Sequence, residues 1–416
     1  MVAHRNIDEL PVLVELEDPK WGTDFSWVTE DLFKRSYQGL MRTSANDLVV
    51  YRYDDVDALR AHPAISHPTL EAQTEPFRPA GVDGDFGLLR IIGTNSFGLR
   101  GPEHAATKKL GVSTMTPRAV RGFIDSFASE VKTLIDSSVR REQIDFLSDF
   151  VRPLLARFWV NTLGISEDQA LNALDLTNDF ILAFLLDPSE ADIAAANRGA
   201  DIWMDEFPGW IKRAEQSGNF PFVAGLRSAY EDLDPEARPK DPYATLASTL
   251  FDGFHTVGAH LASLVFSMVE AGVNPVDFAG DRSFGTRVFH EGSRLHSSFV
   301  FLTRQAASDF EYEGVNIPEG TGINLMWLFA NRDPSKFENP TDFQLTRSNA
   351  NDQVAFGGGP YVCAGRNLAK AMSEILANEM ANAGVVLERK GEATWNPGSV
   401  VHELTSLPVR LSLQGS

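Results

Sequence analysis

A chain of 416 residues with 43% hydrophobic and 23% charged residues has the makeup of a globular protein with a sizeable core. Its formal charge of −20 argues against a nucleic acid or an anionic membrane surface as partner. A single cysteine excludes an intramolecular disulfide and a multi-cysteine zinc site.

Met1 to Glu9 contain no apolar run of signal-peptide length, and nowhere do 18 apolar residues stand together. A cytoplasmic protein without a membrane span is expected. No Gly/Ser-rich or Pro-rich linker and no internal repeat divides the sequence, so residues 1–416 read as one domain. Residues 48–53 alternate loosely and lead into a helical pattern from Asp54. Residues 65–100, rich in Gly, Pro and Thr, read as a long ordered loop placed as a lid. Helical periodicity dominates from about 103 to 300. Within it, Asp241-Pro242 is a helix start, Asp as N-cap and Pro at the first helical position. The largely apolar run that follows, to about Ala271, predicts a helix crossing the whole core. Strand-like pieces return at 310–325 and 398–413. The fold class is mainly α with small β-sheets.

The lone cysteine sits in Phe356-Gly-Gly-Gly-Pro-Tyr-Val-Cys363-Ala-Gly365. Such a thiol is inert, a lone ligand or a nucleophile. Three glycines and a proline make a turn with little side-chain bulk, against which a large flat group can lie. Backbone N–H groups of the turn, and the N-terminus of the helix patterned from Arg366, favour a thiolate. These surroundings argue for the ligand.

This segment resembles the haem-binding loop of cytochromes P450, Phe-x-x-Gly-x-(His/Arg)-x-Cys-x-Gly, through Phe356, Gly359, Cys363 and Gly365. Tyr361 stands where the family usually has a cationic residue for a haem propionate; it keeps a donor but no charge. Three further segments follow the family's order. Glu291-Gly-Ser-Arg294 is similar to the K-helix Glu-x-x-Arg, whose i,i+3 spacing puts both charges on one face. Ala330-Asn-Arg-Asp-Pro334, with Phe337, Pro340, Phe343 and Arg347, resembles the stretch between that helix and the cysteine loop. Gly101-Pro-Glu-His104-Ala-Ala-Thr-Lys108 resembles the C-helix segment, with Lys108 in place of the commoner arginine. Arg304 matches the family's propionate-pairing arginine. The resemblance runs from about residue 45 to the end.

It implies the cytochrome P450 fold of the soluble bacterial type, with a long central I helix over a buried haem b. Cys363 becomes the axial ligand of the haem iron. His104, Lys108, Arg304, Tyr361, Phe356, Gly357 and Gly365 become haem contacts, and Glu291, Arg294 and Arg347 structural ions. On the I helix the family carries (Ala/Gly)-Gly-x-(Asp/Glu)-Thr; here it reads Asp252-Gly253-Phe254-His255-Thr256. Thr256 inherits the role of guiding protons to iron-bound dioxygen. His255, in the acid's place, is either a proton relay near neutral pH or a packing residue. Asp252 lies i,i+4 from Thr256 and should face the same space, as a contact for a polar substrate group or as a proton source.

The resemblance puts Phe86, Phe97, Ser248, Phe251, Phe299, Val300 and Val401 around the substrate, with Phe301 and His402 nearby. Phe184, Trp203, Phe207 and Trp210 fall in its roof. Together they suit a small hydrophobic or aromatic substrate. The function implied is a monooxygenase that inserts one atom of O2, by hydroxylation or O-dealkylation. Its electrons come from a separate ferredoxin-type partner, for which Lys108, Lys109, Arg118, Arg121, Arg366 and Lys370 offer a basic face. Two alternatives stay open at this stage: a peroxide-using or otherwise atypical enzyme of coupling or rearrangement chemistry, and a non-catalytic haem protein.

Overall fold

In the computed structural model, which describes residues 5–18, 21–35 and 40–415, helices carry most of the chain and the strands form small sheets. The first four residues of the N-terminal segment read above lie outside the described ones. The helices that matter for the site are α1 (Tyr53–Leu59), α2 (Gly87–Thr94), α3 (Gly101–Ser113), α4 (Asp125–Ser138) and α5 (Arg152–Leu163). They are followed by α6 (Glu167–Ile181), α7 (Glu190–Ser217), α8 (Pro242–Glu270), α9 (Phe284–Leu295) and α10 (Arg366–Asn382).

The expected helix start at Asp241 is present. Its carboxylate accepts from the N–H groups of Tyr243, at 2.8 Å, and Ala244, at 3.3 Å, while Pro242 opens the first turn. These bonds satisfy two of the donors that every helix N-terminus leaves free. Because α8 carries apolar or small side chains around most of its circumference, it packs on several sides at once. It touches α2, α3, α6, α7, α9 and α10. The largest apolar cluster is built around it, with Trp159, Trp203, Phe207 and Phe254 stacked edge and face at its centre.

A five-stranded sheet stands beside this helical core. It combines β1 (Leu40–Arg42), β2 (Leu48–Val50), β3 (Ile65–Ser66), β4 (Leu302–Ala306) and β5 (Gly322–Leu325) in the order β1–β2–β5–β4–β3. All neighbours are antiparallel except β2 and β5. In β2 every side chain is buried, so one face feeds the cluster around Leu48, Val50 and Leu325 and the other the cluster around Val49 and Met326. Near the C-terminus, β6 (Val385–Arg389) and β7 (Pro408–Leu413) form an antiparallel pair.

The segment 65–100 differs from its reading as a loop. It holds β3, a short helix at Leu70–Thr74 and α2. Thr69 caps the short helix through Ala72 N–H, at 3.1 Å, and α2 gains order from packing on α7 instead of from its own composition. Tertiary contact overrides a Gly-rich local sequence here. Strand β2 also ends earlier than expected, and Tyr53 already opens α1.

Candidate haem-thiolate site

The cysteine loop is held open by backbone geometry. Gly357 and Gly359 have φ of +68° and +57°, and a Cβ on Gly359 would come within 2.7 Å of Ala61 Cβ. Both positions therefore require glycine. Cys363 N–H donates to Phe356 O at 2.8 Å, and the Arg60 guanidinium donates to Gly357 O at 2.7 Å. Lys108 reaches from α3 to donate to Val362 O. The result fixes Cys363 just before α10.

Protein encloses the sulfur closely enough for burial to raise the Cys363 pKa, yet the side chain keeps free surface. The sulfur is surrounded by protein and still borders open space inside the molecule. Gly365 and Arg366 N–H groups and Lys108 act against burial and favour the thiolate, while Asp252 acts with burial. Thus α3, α8 and the cysteine loop converge on one interior space.

On α8, Asp252, Gly253 and Thr256 also keep free surface in the middle of an otherwise buried helix. A Cβ placed on Gly253 would meet nothing within 4 Å. Thr256 Oγ1 donates to its own helix at Asp252 O, 2.6 Å away. Among the described residues the Asp252 carboxylate has one hydrogen-bond partner, Asn95 Nδ2 at 3.3 Å, and burial pushes its pKa up to about 7. His255 points elsewhere. Its Nδ1 meets Asn178 Oδ1 of α6 at 2.7 Å, and its Nε2 meets the Glu403 carboxylate in the C-terminal turn.

A second cluster flanks the cysteine loop. His104 and Lys108 of α3, Arg304 of β4 and Tyr361 come together as the sequence suggests. The Tyr361 ring lies 5.1 Å from that of His104 and 5.3 Å from the Arg304 guanidinium carbon. Sequence reasoning missed His67, whose ring meets Tyr361 edge-on at 4.5 Å, and Arg100, which donates to His67 O. No signal short of the β3–β4 pairing would have found them. Burial and the nearby cations Arg304, Lys108 and Arg100 hold His67 neutral.

This cluster carries excess positive charge. Arg304 is buried, with its pKa pulled down to about 10 by desolvation, and its guanidinium donates to Thr303 O. Neither Arg304 nor Lys108 has a carboxylate in salt-bridge range among the described residues, and buried His104 Nε2 has no partner. Buried cations without counter-ions are costly. An anionic group seated there would relieve them, and the two carboxylates of haem fit. With a lone thiol facing open space beside a flat glycine turn, the residues present suit that cofactor.

The framework ions behave differently. Glu291 accepts from Arg294 Nε and Nη2, at 2.9 and 2.8 Å, and from Arg347 Nε at 2.9 Å. All three sit with almost no side-chain exposure. Phe356 stacks on Phe289 of α9, which ties this framework to the loop.

The expected pocket residues divide. Phe97 and Phe299 keep free surface, Phe97 beside His67 and Phe299 beside Phe184. Ser248, Phe251, Val300 and Val401 have none, and Phe86 is nearly covered beneath Arg78, 4.7 Å from its guanidinium carbon. These five pack behind the wall and do not border the space. Of the roof residues, Trp203, Phe207 and Trp210 are likewise buried, while Phe184 is partly open. Phe301 lies in a core cluster and His402 stacks on Trp395 at 4.1 Å. Of the basic set, Lys109, Arg118 and Arg121 are exposed and Arg366 and Lys370 half-buried, but Lys108 is turned inward to Val362 and the site.

Comparison with known proteins agrees with this geometry. The family model described as cytochrome P450 matches residues 281–380, from the start of α9 into α10. Luteothin monooxygenase of Streptomyces thioluteus is 24% identical over 97% of this chain and 96% of its own. The biotin biosynthesis cytochrome P450 of Bacillus subtilis is 23% identical over 67% of this chain and 70% of its own. Among solved structures, P450BioI in complex with an acyl carrier protein superposes with a TM-score of 0.79 at 21% identity, covering 96% of this chain and 100% of that one. Epothilone B-bound cytochrome P450epoK gives 0.78 at 19% identity, over 96% and 98%. This fold, the matched segment and relatives along nearly the whole length show the chain's similarity to bacterial cytochromes P450 and support a P450 monooxygenase.

Proposed function

We propose that residues 1–416 form one unit that binds haem b and inserts one oxygen atom from O2 into a small hydrophobic or aromatic organic substrate, by hydroxylation or O-dealkylation. The observation that carries the reading is Cys363: the sole thiol, on a glycine turn, facing the same interior space as Thr256. In this reading the haem, when bound, supplies the oxygen-activating redox chemistry. The protein holds it at one edge through Arg304, Lys108, His104 and Tyr361, with His67 and Arg100 behind them. Phe356, Gly357 and Gly365 shape the turn under Cys363, and Gly365 and Arg366 N–H groups keep its sulfur ionised.

On the opposite wall, Thr256 Oγ1 is the proton-holding atom. Its bond to Asp252 O orients the hydroxyl, leaving its lone pairs free toward the site. His255 cannot reach the space directly while it is bonded to Asn178 and Glu403, so it serves as the outer member of a relay that passes protons inward along the helix face. The Glu403 carboxylate fixes the ring. Phe97 and Phe299 offer apolar surface to the substrate body.

Two electrons and two protons accompany each oxygen atom inserted, the second oxygen leaving as water. Exposed Lys109, Arg118 and Arg121 support a separate acidic ferredoxin-type donor, and a cytoplasmic setting accords with such a partner. No helix among the described residues is long and apolar enough to cross a membrane. The carboxyl group of Asp252 also supports a second reading, turnover driven by hydrogen peroxide, since an acid beside the site can take and return the peroxide proton.

The test is spectroscopic first. The purified protein should be coloured, and its reduced carbon-monoxide adduct should absorb at about 450 nm, as thiolate ligation requires. Cys363→Ser should abolish that band; its survival would end the haem-thiolate reading. Turnover with a ferredoxin and reductase, set against peroxide alone, then separates the two oxidants.

A further inference from the structure

Asp252 brings a carboxylate to the interior space, and the framework gives it little. Among the described residues its only hydrogen-bond donor is Asn95, at 3.3 Å, and the same Asn95 nitrogen makes a shorter bond, 3.0 Å, to Ser248 O. No arginine or lysine forms an ion pair with Asp252 among the described residues. Charged and titratable groups that face it are few. Lys108 on α3 lies within electrostatic range but is bonded to Val362 O, and Cys363 faces it from the cysteine loop. On α2, Arg90 is turned away to Asp201 and Asp205 of α7. On α6, Asn178 is engaged with His255.

A buried carboxylate with one weak donor and one free oxygen is under-solvated, and it stabilises whatever brings it a positive charge. It stands one helical turn before Thr256 on the same face, so a group paired with it lies beside the reacting position. An apolar ligand alone would leave this oxygen unpaired and bind less well for it.

We propose that Asp252 is a substrate anchor, and that the substrates taken by this site carry a cationic nitrogen on an otherwise apolar or aromatic body, the ammonium pairing with Asp252 while the hydrocarbon part lies toward Thr256. The inference rests on the monooxygenase reading for what happens next, but not for the binding itself. Asn95 is then a positioning residue that holds the carboxylate toward the space. Because burial lifts the pKa of Asp252 to about 7 in the free protein, a permanently charged ligand should bind more tightly as pH rises through that value and the carboxylate ionises.

The experiment uses the haem-loaded full chain and two probes of one shape. One is phenethyltrimethylammonium, which has no lone pair for iron; the other is 3,3-dimethylbutylbenzene, its neutral counterpart. Affinities are read by calorimetry and by the spin-state shift of the ferric haem. The wild type should prefer the ammonium by at least about tenfold, the scale of a buried charge pair. That preference should grow from about pH 6 to about pH 8. In Asp252→Asn the preference should vanish and its pH dependence with it, while the neutral probe binds at least as tightly as to the wild type. Asp252→Glu, which keeps the charge, should retain the preference and so exclude a folding defect. Equal affinity for both probes in the wild type, or an unchanged preference in Asp252→Asn, overturns the anchor. The carbon-monoxide band, recorded on the same samples, fails separately if the haem-thiolate reading is wrong.

Discussion

Glu291 and Asp252 are both buried carboxylates on long helices, and they live in opposite circumstances. Around Glu291 every demand is met: two nitrogens of Arg294, Arg347 Nε and Gln344 N–H all donate to its oxygens. These bonds hold its pKa below the usual carboxylate range although burial pulls upward. Around Asp252 one long bond and the more distant charge of Lys108 oppose burial, which wins. The difference teaches where the molecule is finished by its own chain and where it awaits something else. The region under the cysteine loop is a closed polar network. The α8 wall is left incomplete, as sites are and frameworks are not.

The same chemical change should therefore have opposite consequences in the two regions. Glu291→Gln removes the charge that Arg294 and Arg347 need and leaves two guanidinium groups buried together. The expected cost is about 3–5 kcal/mol, the scale for breaking a buried pair. Denaturant melts at neutral pH should show it, together with loss of haem retention through the Phe289–Phe356 stack. Since the folded-state pKa of Glu291 is depressed, the stability it contributes is present above the unfolded value of about 4.5 and lost as pH falls through the lower, folded value. A variant that melts like the wild type would show that the network is decorative.

Asp252→Asn should stabilise the protein when no substrate is present. Its folded pKa of about 7 stands above the unfolded value near 3.8, so ionisation disfavours the folded state. Wild-type stability thus declines as pH rises from about 4 to about 7, and the variant escapes the decline. The gain at pH 8 should be on the order of 1–4 kcal/mol and absent at pH 4. Melts at the two pH values decide it. A destabilised variant at pH 8 would mean that Asp252 is as well satisfied as Glu291, and the contrast between the two regions would collapse.

Much of this was legible in the residues. The capping pair Asp241-Pro242 marked the start of α8 because caps act locally, within a turn. The cysteine turn was readable for the same reason: Gly357 and Gly359 encode their own left-handed backbone. What local sequence does not carry is direction across space. His67 joins the cationic cluster only because β3 pairs with β4, Ile65 opposite Ala306 and Ser66 opposite Gln305. Phe251 reads as a pocket residue by position, yet packing of α6 and α7 onto α8 closes it between Phe180 and Trp203. Lys108, read as part of a surface patch as well as a haem contact, was resolved by the loop carbonyl it reaches.

The smallest expected effect concerns the link between the two regions' flanks. His255 joins α6 to the C-terminal turn through Asn178 and Glu403, and Asn396 Nδ2 donates to the other Glu403 oxygen at 3.1 Å. The same turn pairs with the segment after α6, Val400 N–H to Phe184 O at 2.8 Å and Leu186 N–H to Gly398 O at 2.8 Å. Glu403→Gln keeps the shape and the Asn396 contact but removes the charge from the histidine, so about 1 kcal/mol of stability should be lost, the scale of one hydrogen bond. Its larger signature should be kinetic. If His255 feeds protons toward Thr256, the variant should release more peroxide per electron consumed while substrate affinity stays unchanged. If the pair only ties the roof to the turn, the variant should instead show faster hydrogen exchange at Phe184–Leu186 with coupling intact. Measuring peroxide yield and amide exchange on the same variant assigns the contact to one role or the other.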